Sequence, residues 1–262
     1  MQIIVCKDYE EMSIRAAELA AEGIRQNPEA LVSFPGGDTP LGMVHAFADM
    51  VNAGDVNISR ARYVSLDEWV GLSGTDEGSC GIFNRAELLD RLQKPFKEVH
   101  IINGAAADIE NERKALDEYI AKYGPLEVSV LGIGMNGHLG FNEDGVSFEL
   151  DAHIIPLSET TKKVMSKYFG EKFHPEYGIS QGIRQIMAAK RVILIANGAH
   201  KADILAKACR GEVTNRVPAS ILQRHPNCFV VGTKPPRPNY ELEGSASQPE
   251  AGNCRKMSDR GL

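Results

Sequence analysis

The sequence has little of what marks secretion, membrane insertion or nucleic-acid binding. Its five cysteines, Cys6, Cys80, Cys209, Cys228 and Cys254, are odd in number, scattered, and without a CxxC pair. That pattern argues against a disulfide framework and a structural zinc site, and fits reduced thiols in a cytoplasmic protein. No run of about 18 apolar residues occurs, so no membrane span is expected. The N-terminal MQIIVCKDYEEM reads as a strand and a polar turn. It has no basic segment leading into an apolar one, so no secretory leader is expected. An excess of positive charge is also missing. The formal charge of −6 leaves no electrostatic footprint for nucleic acid. It does not exclude a phosphorylated metabolite, because a phosphate site needs only a few local donors.

What is present is an ordinary globular composition. The chain has 262 residues, 43% hydrophobic and 24% charged, enough to bury a full core in one α/β domain. Strands are expected at Gln2–Cys6, Ala30–Phe34, Arg62–Leu66, Val99–Ile102, Val128–Ile133, Tyr177–Ser180, Val192–Ala196 and Cys228–Gly232. Helices are expected at Glu10–Asn27, Pro40–Ala53, Asn84–Leu92, Asp108–Tyr123, Ser158–Phe169, Ile183–Ala188 and His200–Cys209, from the spacing of their apolar residues. The alternation implies a doubly wound, mostly parallel α/β sheet with helices on both faces, Rossmann-like. Residues 1–233 read as a single domain. From Lys234 onward, proline, glycine, serine and charge dominate, and a disordered or loosely packed tail is expected over 234–262.

Ligands of such sheets bind beyond the carboxyl ends of the strands, and four unusual segments fall there. The first is Ser33–Pro40. Gly36 and Gly37 let the backbone approach an anion, Thr39 places a hydroxyl at the expected N-cap, and Pro40 suits the first helical position. An ordinary strand–turn–helix junction would read the same way. The second is Ser65–Leu72, where Asp67 and Glu68 end a strand beside the only tryptophan, Trp69. Neighbours on an extended segment point to opposite faces, so one carboxylate can face a cleft while the other binds structure. Partial desolvation would tune such a carboxylate toward general-base work, whereas a solvated turn would leave both as plain acids.

The third segment, Leu131–Gly145, holds five glycines in fifteen residues, directly after a buried strand. It presents His138, with Glu143 five residues on, and a carboxylate can fix the tautomer of a histidine. Gly132–Gly137 matches GxGxxG, yet no helix is expected to follow it, so it is not a dinucleotide fingerprint. The fourth segment is Asn197–Lys201. Lys201 near a helix N-terminus opposes the helix dipole, which is tolerable if an anion sits between them; a solvated lysine is the alternative.

Taken together, these motifs resemble the glucosamine-6-phosphate deaminase group, within the larger set that includes the 6-phosphogluconolactonases. The resemblance covers about residues 1–232: the Gly-rich loop with Thr39-Pro40, LDEW, GIGxNGHLGFNE, GxHKA, and Pro218–Ser220. It implies the conversion of glucosamine 6-phosphate and water to fructose 6-phosphate and ammonia, or the galactosamine-to-tagatose equivalent. On this resemblance Asp67 would move a proton between C2 and C1, and His138, assisted by Glu143, would open the pyranose ring. Gly36, Gly37, Thr39 and Lys201 would hold the phosphate. Lys167 falls where relatives carry a phosphate-binding arginine, and lysine keeps the charge without the bidentate fork. Asn136 stands where some relatives carry an aspartate partner of the histidine. Glu143 is then the carboxylate of this loop positioned to orient His138.

The resemblance implies no metal and no organic cofactor. The partner would be a small sugar phosphate rather than nucleic acid or membrane, with a homo-oligomer compatible. Asp38 replaces a small or neutral residue, and its charge suits a phosphate site only if it points away. His153 and Ile155 stand where allosteric members carry basic residues, which implies no activation by an acetylated amino sugar. LDEW followed by Gly78-Ser79-Cys80 is closer to galactosamine-6-phosphate members, so the C4 configuration stays open. Two alternatives remain. A 6-phosphogluconolactonase shares a GGSTP-like first loop but carries a DGHTASLFP type of third motif. A non-catalytic sugar-phosphate-binding regulator would lose the acid–base set that this chain retains.

Overall fold

The computed structural model describes residues 1–163 and 173–233. Lys167 and the segment 234–262 lie outside the described residues. Within them, seven strands form one parallel sheet: β1 (Gln2–Cys6), β2 (Leu31–Ser33), β3 (Arg62–Val64), β5 (Glu98–His100), β6 (Val128–Gly132), β9 (Val192–Ala196) and β10 (Cys228–Thr233). Their order is β1-β10-β9-β6-β2-β3-β5, and every neighbouring pair is parallel. From β2 the chain proceeds outward through β3 to β5. It then returns to β6, on the other side of β2, and proceeds through β9 to β10. The winding reverses between β2 and β6, which is where an open sheet of this kind leaves a crevice.

The central strands are short apolar runs because both of their faces are covered. All five residues of β9 are buried. Ile193 and Ile195 pack with Met12, Ala16, Ala20, Phe34 and Phe47 on one face. Val192 and Leu194 pack with Leu116, Ile120, Ile183 and Ile186 on the other. The covering helices are α1 (Tyr9–Gln26), α2 (Leu41–Ala53), α3 (Cys80–Glu87), α4 (Ile109–Tyr123), α5 (Ile183–Met187) and α6 (Ala202–Arg210). Helix α1 starts where the Asp8 side chain accepts from the Glu11 amide at 2.9 Å, and α4 where Asp108 accepts from Asn111 at 3.0 Å. No helix among the described residues is long and apolar enough to cross a membrane.

The doubly wound parallel sheet expected from the sequence is present, with four local differences. First, Asp67 and Glu68 do not end β3. They open a separate strand, β4 (Asp67–Trp69), in a small antiparallel sheet of order β4-β8-β7, with β8 at Tyr177–Ser180 and β7 at His153–Pro156. Strand β7 was not anticipated. Second, α3 begins at Cys80 rather than Asn84, because the Ser79 side chain caps it by accepting from the Ile82 amide at 2.9 Å. The rest of the expected span is a 3-10 turn at Leu89–Arg91. Third, Pro40, not Thr39, occupies the N-cap of α2, and no side chain caps that helix. Fourth, the helix expected over 158–169 begins at residue 159 and is described only to residue 163.

Candidate active site

A cleft of about 1020 Å³ opens at the switch point. Three strand-end loops and β4 meet in its walls. Gly36, Gly37, Asp38 and Thr39 come from the loop after β2, and Asp67 from β4. Gly134 and His138 come from the loop after β6, and Asn197, His200 and Lys201 from the junction after β9. The structure therefore brings together Gly36, Gly37, Thr39, Lys201, Asp67 and His138. Glu143 and Asn136 stand just behind the wall. Lys167 falls outside the described residues.

One buried amide fixes the relative positions of these loops. Gln181 donates from Nε2 to Ser33 Oγ at the end of β2 and to the Ser65 carbonyl beyond β3, both at 2.9 Å. Its backbone amide donates to the Leu66 carbonyl at 2.9 Å. Its carbonyl accepts from Asn142 Nδ2, in the histidine loop, at 2.8 Å. Its Nε2 donors are both used, whereas its Oε1 is buried without a hydrogen-bond partner among the described residues.

Asp67 and Glu68 take the opposite faces expected of neighbours on a strand. Glu68 is fully buried behind the cleft. Its Oε1 accepts the amides of Trp69 and Cys80, both at 2.9 Å, and its Oε2 accepts that of Gly81 at 2.8 Å. Burial pushes Glu68 up to about 8 against the pull of these amides. Asp67 faces the cleft, paired with Ser180 across the small sheet. Burial raises its carboxyl to about 6, partly offset by the neighbouring Cys80 side chain and the charge of His138. Gly140 makes room for it. At φ +55, its hypothetical Cβ would lie 2.6 Å from Ser180 Oγ and 3.3 Å from Asp67 Oδ2.

His138 is held from behind. Its Nδ1 lies 3.4 Å from Glu143 Oε2 and 3.4 Å from Thr161 Oγ1. Glu143 is itself anchored: Asn136 Nδ2 donates to Oε2 at 2.8 Å, and the Thr161 hydroxyl donates to Oε1. Burial alone would raise Glu143, but the hydrogen bond and charge of His138, with Thr161 and Asn136, bring it down to about 2. Asn136 thus touches the histidine side chain only through Glu143, while its Oδ1 accepts the His138 amide at 3.3 Å. Thr161 and Ser158, whose amide donates to Glu143 Oε1 at 3.3 Å, carried no sequence signal. They lie outside every motif and reach the site only through folding.

The imidazole lies over Gly134, and a Cβ there would overlap the ring. Gly134→Ala should therefore displace His138 while leaving the sheet intact. The expected result is a loss of about 10²-fold in kcat/KM with an unchanged circular dichroism spectrum. A wild-type rate would show that the ring position is immaterial.

At the other end of the cleft, the Tyr9 hydroxyl braces the β2 loop. It accepts the Gly42 amide at 2.8 Å and donates to the Asp38 carbonyl at 3.0 Å. Asp38 itself is exposed at the rim. Lys201 occupies the N-cap of α6, and its Nζ donates to the Ile133 carbonyl at 2.7 Å, joining the ends of β9 and β6. Tyr9, Asn197 and His200 line this end without having been anticipated individually as site residues. Among the described residues, no group of three His, Cys, Asp or Glu side chains is placed to hold a metal ion.

A near-neutral carboxylate facing a carboxylate-backed imidazole across a switch-point cleft is the organisation of an acid–base enzyme of the open α/β class. The chain belongs to the family described as glucosamine-6-phosphate isomerases/6-phosphogluconolactonase, whose model matches residues 9–230. It is 38% identical over 232 residues to a glucosamine-6-phosphate deaminase of Shouchella clausii (strain KSM-K16), covering 88% of this chain and 94% of that one. It is also 38% identical to one from Lachnoclostridium phytofermentans, covering 88% and 98%. A solved monomeric glucosamine-6-phosphate deaminase superposes with a TM-score of 0.85 at 30% identity, covering 89% of this chain and 98% of that chain. A 6-phosphogluconolactonase from Thermotoga maritima, at 16% identity and TM-score 0.71, shares the fold.

Proposed function

We propose that this chain converts a hexosamine 6-phosphate and water to the corresponding ketohexose 6-phosphate and ammonia. The observation that carries the reading is the placing of Asp67 and the His138–Glu143 pair in one cleft, opposite a glycine-rich loop and Lys201. The deaminases to which the chain is 34–38% identical support it.

The chemistry follows from the positions. The phosphate seats against the Gly36–Thr39 backbone and the Lys201 ammonium, which supply donors and positive charge. Glu143 holds Nδ1 of His138, leaving Nε2 to move the proton between the anomeric hydroxyl and the ring oxygen. The ring opens. Asp67, ionised, then takes the proton from C2 and returns it at C1 while the substrate nitrogen gives up a proton to O1, so the C1 aldehyde becomes a CH2OH group and the C2 amine an imine. Water adds at C2 and ammonia leaves. Asn136 and Thr161 act through Glu143, which they keep ionised and aligned. A cytoplasmic setting fits the described cysteines, Cys6, Cys80, Cys209 and Cys228, which are all free thiols.

The test is ammonia release from glucosamine and galactosamine 6-phosphates side by side, with lactone hydrolysis run in parallel. Lactone hydrolysis without ammonia from either amino sugar would overturn the reading. Asp67 acts in its ionised form and its carboxyl stands at about 6, so activity must rise as the pH climbs through that value. The acid limb of kcat/KM is therefore expected near pH 6, and a limb near 4 would place the base in a solvated setting.

A further inference from the structure

The loop that leads from β2 into α2 has its donors free and its acceptors taken. Among the described residues, no acceptor takes up the backbone amides of Gly36, Gly37 or Thr39, all of which line the cleft. Carbonyls on either side of these amides are spent on phenols. Tyr63 donates to the Phe34 carbonyl at 3.2 Å. Tyr9 donates to the Asp38 carbonyl at 3.0 Å and to the Thr39 carbonyl at 3.2 Å. The Tyr9 oxygen in turn accepts the Gly42 amide, in the first turn of α2, at 2.8 Å. Helix α2 has no side-chain cap of its own, so a phenol carried by α1 takes up one of its free amides. Tyr9 is itself firmly placed. It is the first residue of α1, where Asp8 caps the helix, and Ser13 Oγ donates to its carbonyl at 2.7 Å. Its ring fits because position 42 is glycine: a Cβ there would lie 3.0 Å from Tyr9 Cε1 and 2.5 Å from Ser13 Oγ.

We propose that Tyr9 is a positioning residue for the anion end of the cleft: its hydroxyl ties back the Asp38 and Thr39 carbonyls, so the loop offers a phosphate its N–H groups and not its oxygens. The proposal rests on the reading of this loop as the phosphate seat. A phenol has a single proton, and here two carbonyls share it, so none is left for the ligand. Tyr9 therefore acts through the loop and is not itself a phosphate ligand. A carbonyl released to swing toward the anion would meet it with negative partial charge and spoil the concavity of amides that holds it.

Tyr9→Phe keeps the ring beside Gly42 and removes only the hydroxyl. In that variant KM for the hexosamine 6-phosphate should rise about three- to tenfold while kcat stays within about twofold, because the acid–base groups are untouched. Affinity for inorganic phosphate, followed through the ¹H–¹⁵N shifts of Gly36 and Gly37, should weaken by the same factor. A KM and a phosphate affinity both within about twofold of wild type overturn the proposal, and so does a fall in kcat at unchanged KM. If wild type releases no ammonia from either hexosamine phosphate, the deaminase reading fails instead, and the phosphate titration still decides the role of Tyr9. A wild type whose Gly36 and Gly37 amides do not respond to inorganic phosphate overturns the proposal whether or not it turns over an amino sugar. Should Tyr9→Phe not fold, hydrogen exchange in wild type decides. The Gly42 amide should exchange at least about tenfold more slowly than those of Gly36 and Gly37, and phosphate should slow only the latter two. Equal exchange at all three positions overturns the proposal.

Discussion

Asp67→Asn is expected to lose between about 10² and 10⁴ of kcat, the range that a positioned general base supplies, with the dissociation constant for substrate kept within about twofold. The amide has the carboxylate's shape and cannot take a proton. The groups proposed to seat the sugar all remain: the β2 loop and Lys201 at one end, and His138 with its support at the other. Burial is what gives Asp67 a pKa of about 6, and this matters for the size of the effect. A carboxylate left near its ordinary value would be a weaker base, and its loss would be felt less. Calorimetric binding beside single-turnover ammonia release separates the two quantities. Turnover at the wild-type level would remove Asp67 from the reaction, and lost binding would make it a substrate ligand instead.

His138→Gln carries the second large effect, and its signature is a difference between substrates. From the closed pyranose the rate should fall by about 10²-fold, because the ring must open without its proton carrier. From a substrate presented in open-chain form the loss should be only about threefold, since Asp67 then acts unaided. Glutamine can still present a donor near Glu143, so the loop is not left with an unpaired buried carboxylate. Equal losses on both forms would mean that His138 only shapes the loop. Glu143→Gln should give a milder version of the same pattern, because it frees the imidazole without removing it.

Much of the framework was legible because parallel sheets write themselves plainly. Buried strands such as Val192–Ala196 are continuous apolar runs, and the residues that interrupt such runs mark the cleft. The opposite facing of Asp67 and Glu68 followed from strand geometry alone. The small antiparallel sheet did not follow. Its strands are three or four residues long, and Asp67 is paired with Ser180, a partner far along the chain that no local pattern announces. Strand β7, His153–Pro156, is a short mixed run that only its neighbour β8 defines. The start of α3 was missed for a related reason. Part of what fixes it is Glu68, twelve residues before Cys80, across a turn rather than within the helix. Within the site, the strand-end side chains that line the cleft sat in recognisable motifs, whereas Tyr9 and Thr161, which also line it, did not. The residues that hold the strand-end side chains, Gln181, Thr161 and Ser158, are common residues whose meaning is wholly tertiary.

Gln181 joins the end of β2, the approach to β4 and the histidine loop through one side chain and its own backbone. The loop proposed to receive the phosphate and the carboxylate proposed to move the proton are therefore mounted on a common frame, not on two independently moving arms. On the proposed reading the frame sets their separation, and the cleft would act as a gauge. A sugar phosphate seated by its terminal group presents to Asp67 whichever carbon lies at that span. A chain one carbon shorter or longer offers the wrong atom even where every polar contact at the phosphate is made. On that reading selection by carbon count would come from the sheet, and selection by stereochemistry would be left to the side chains between the two ends.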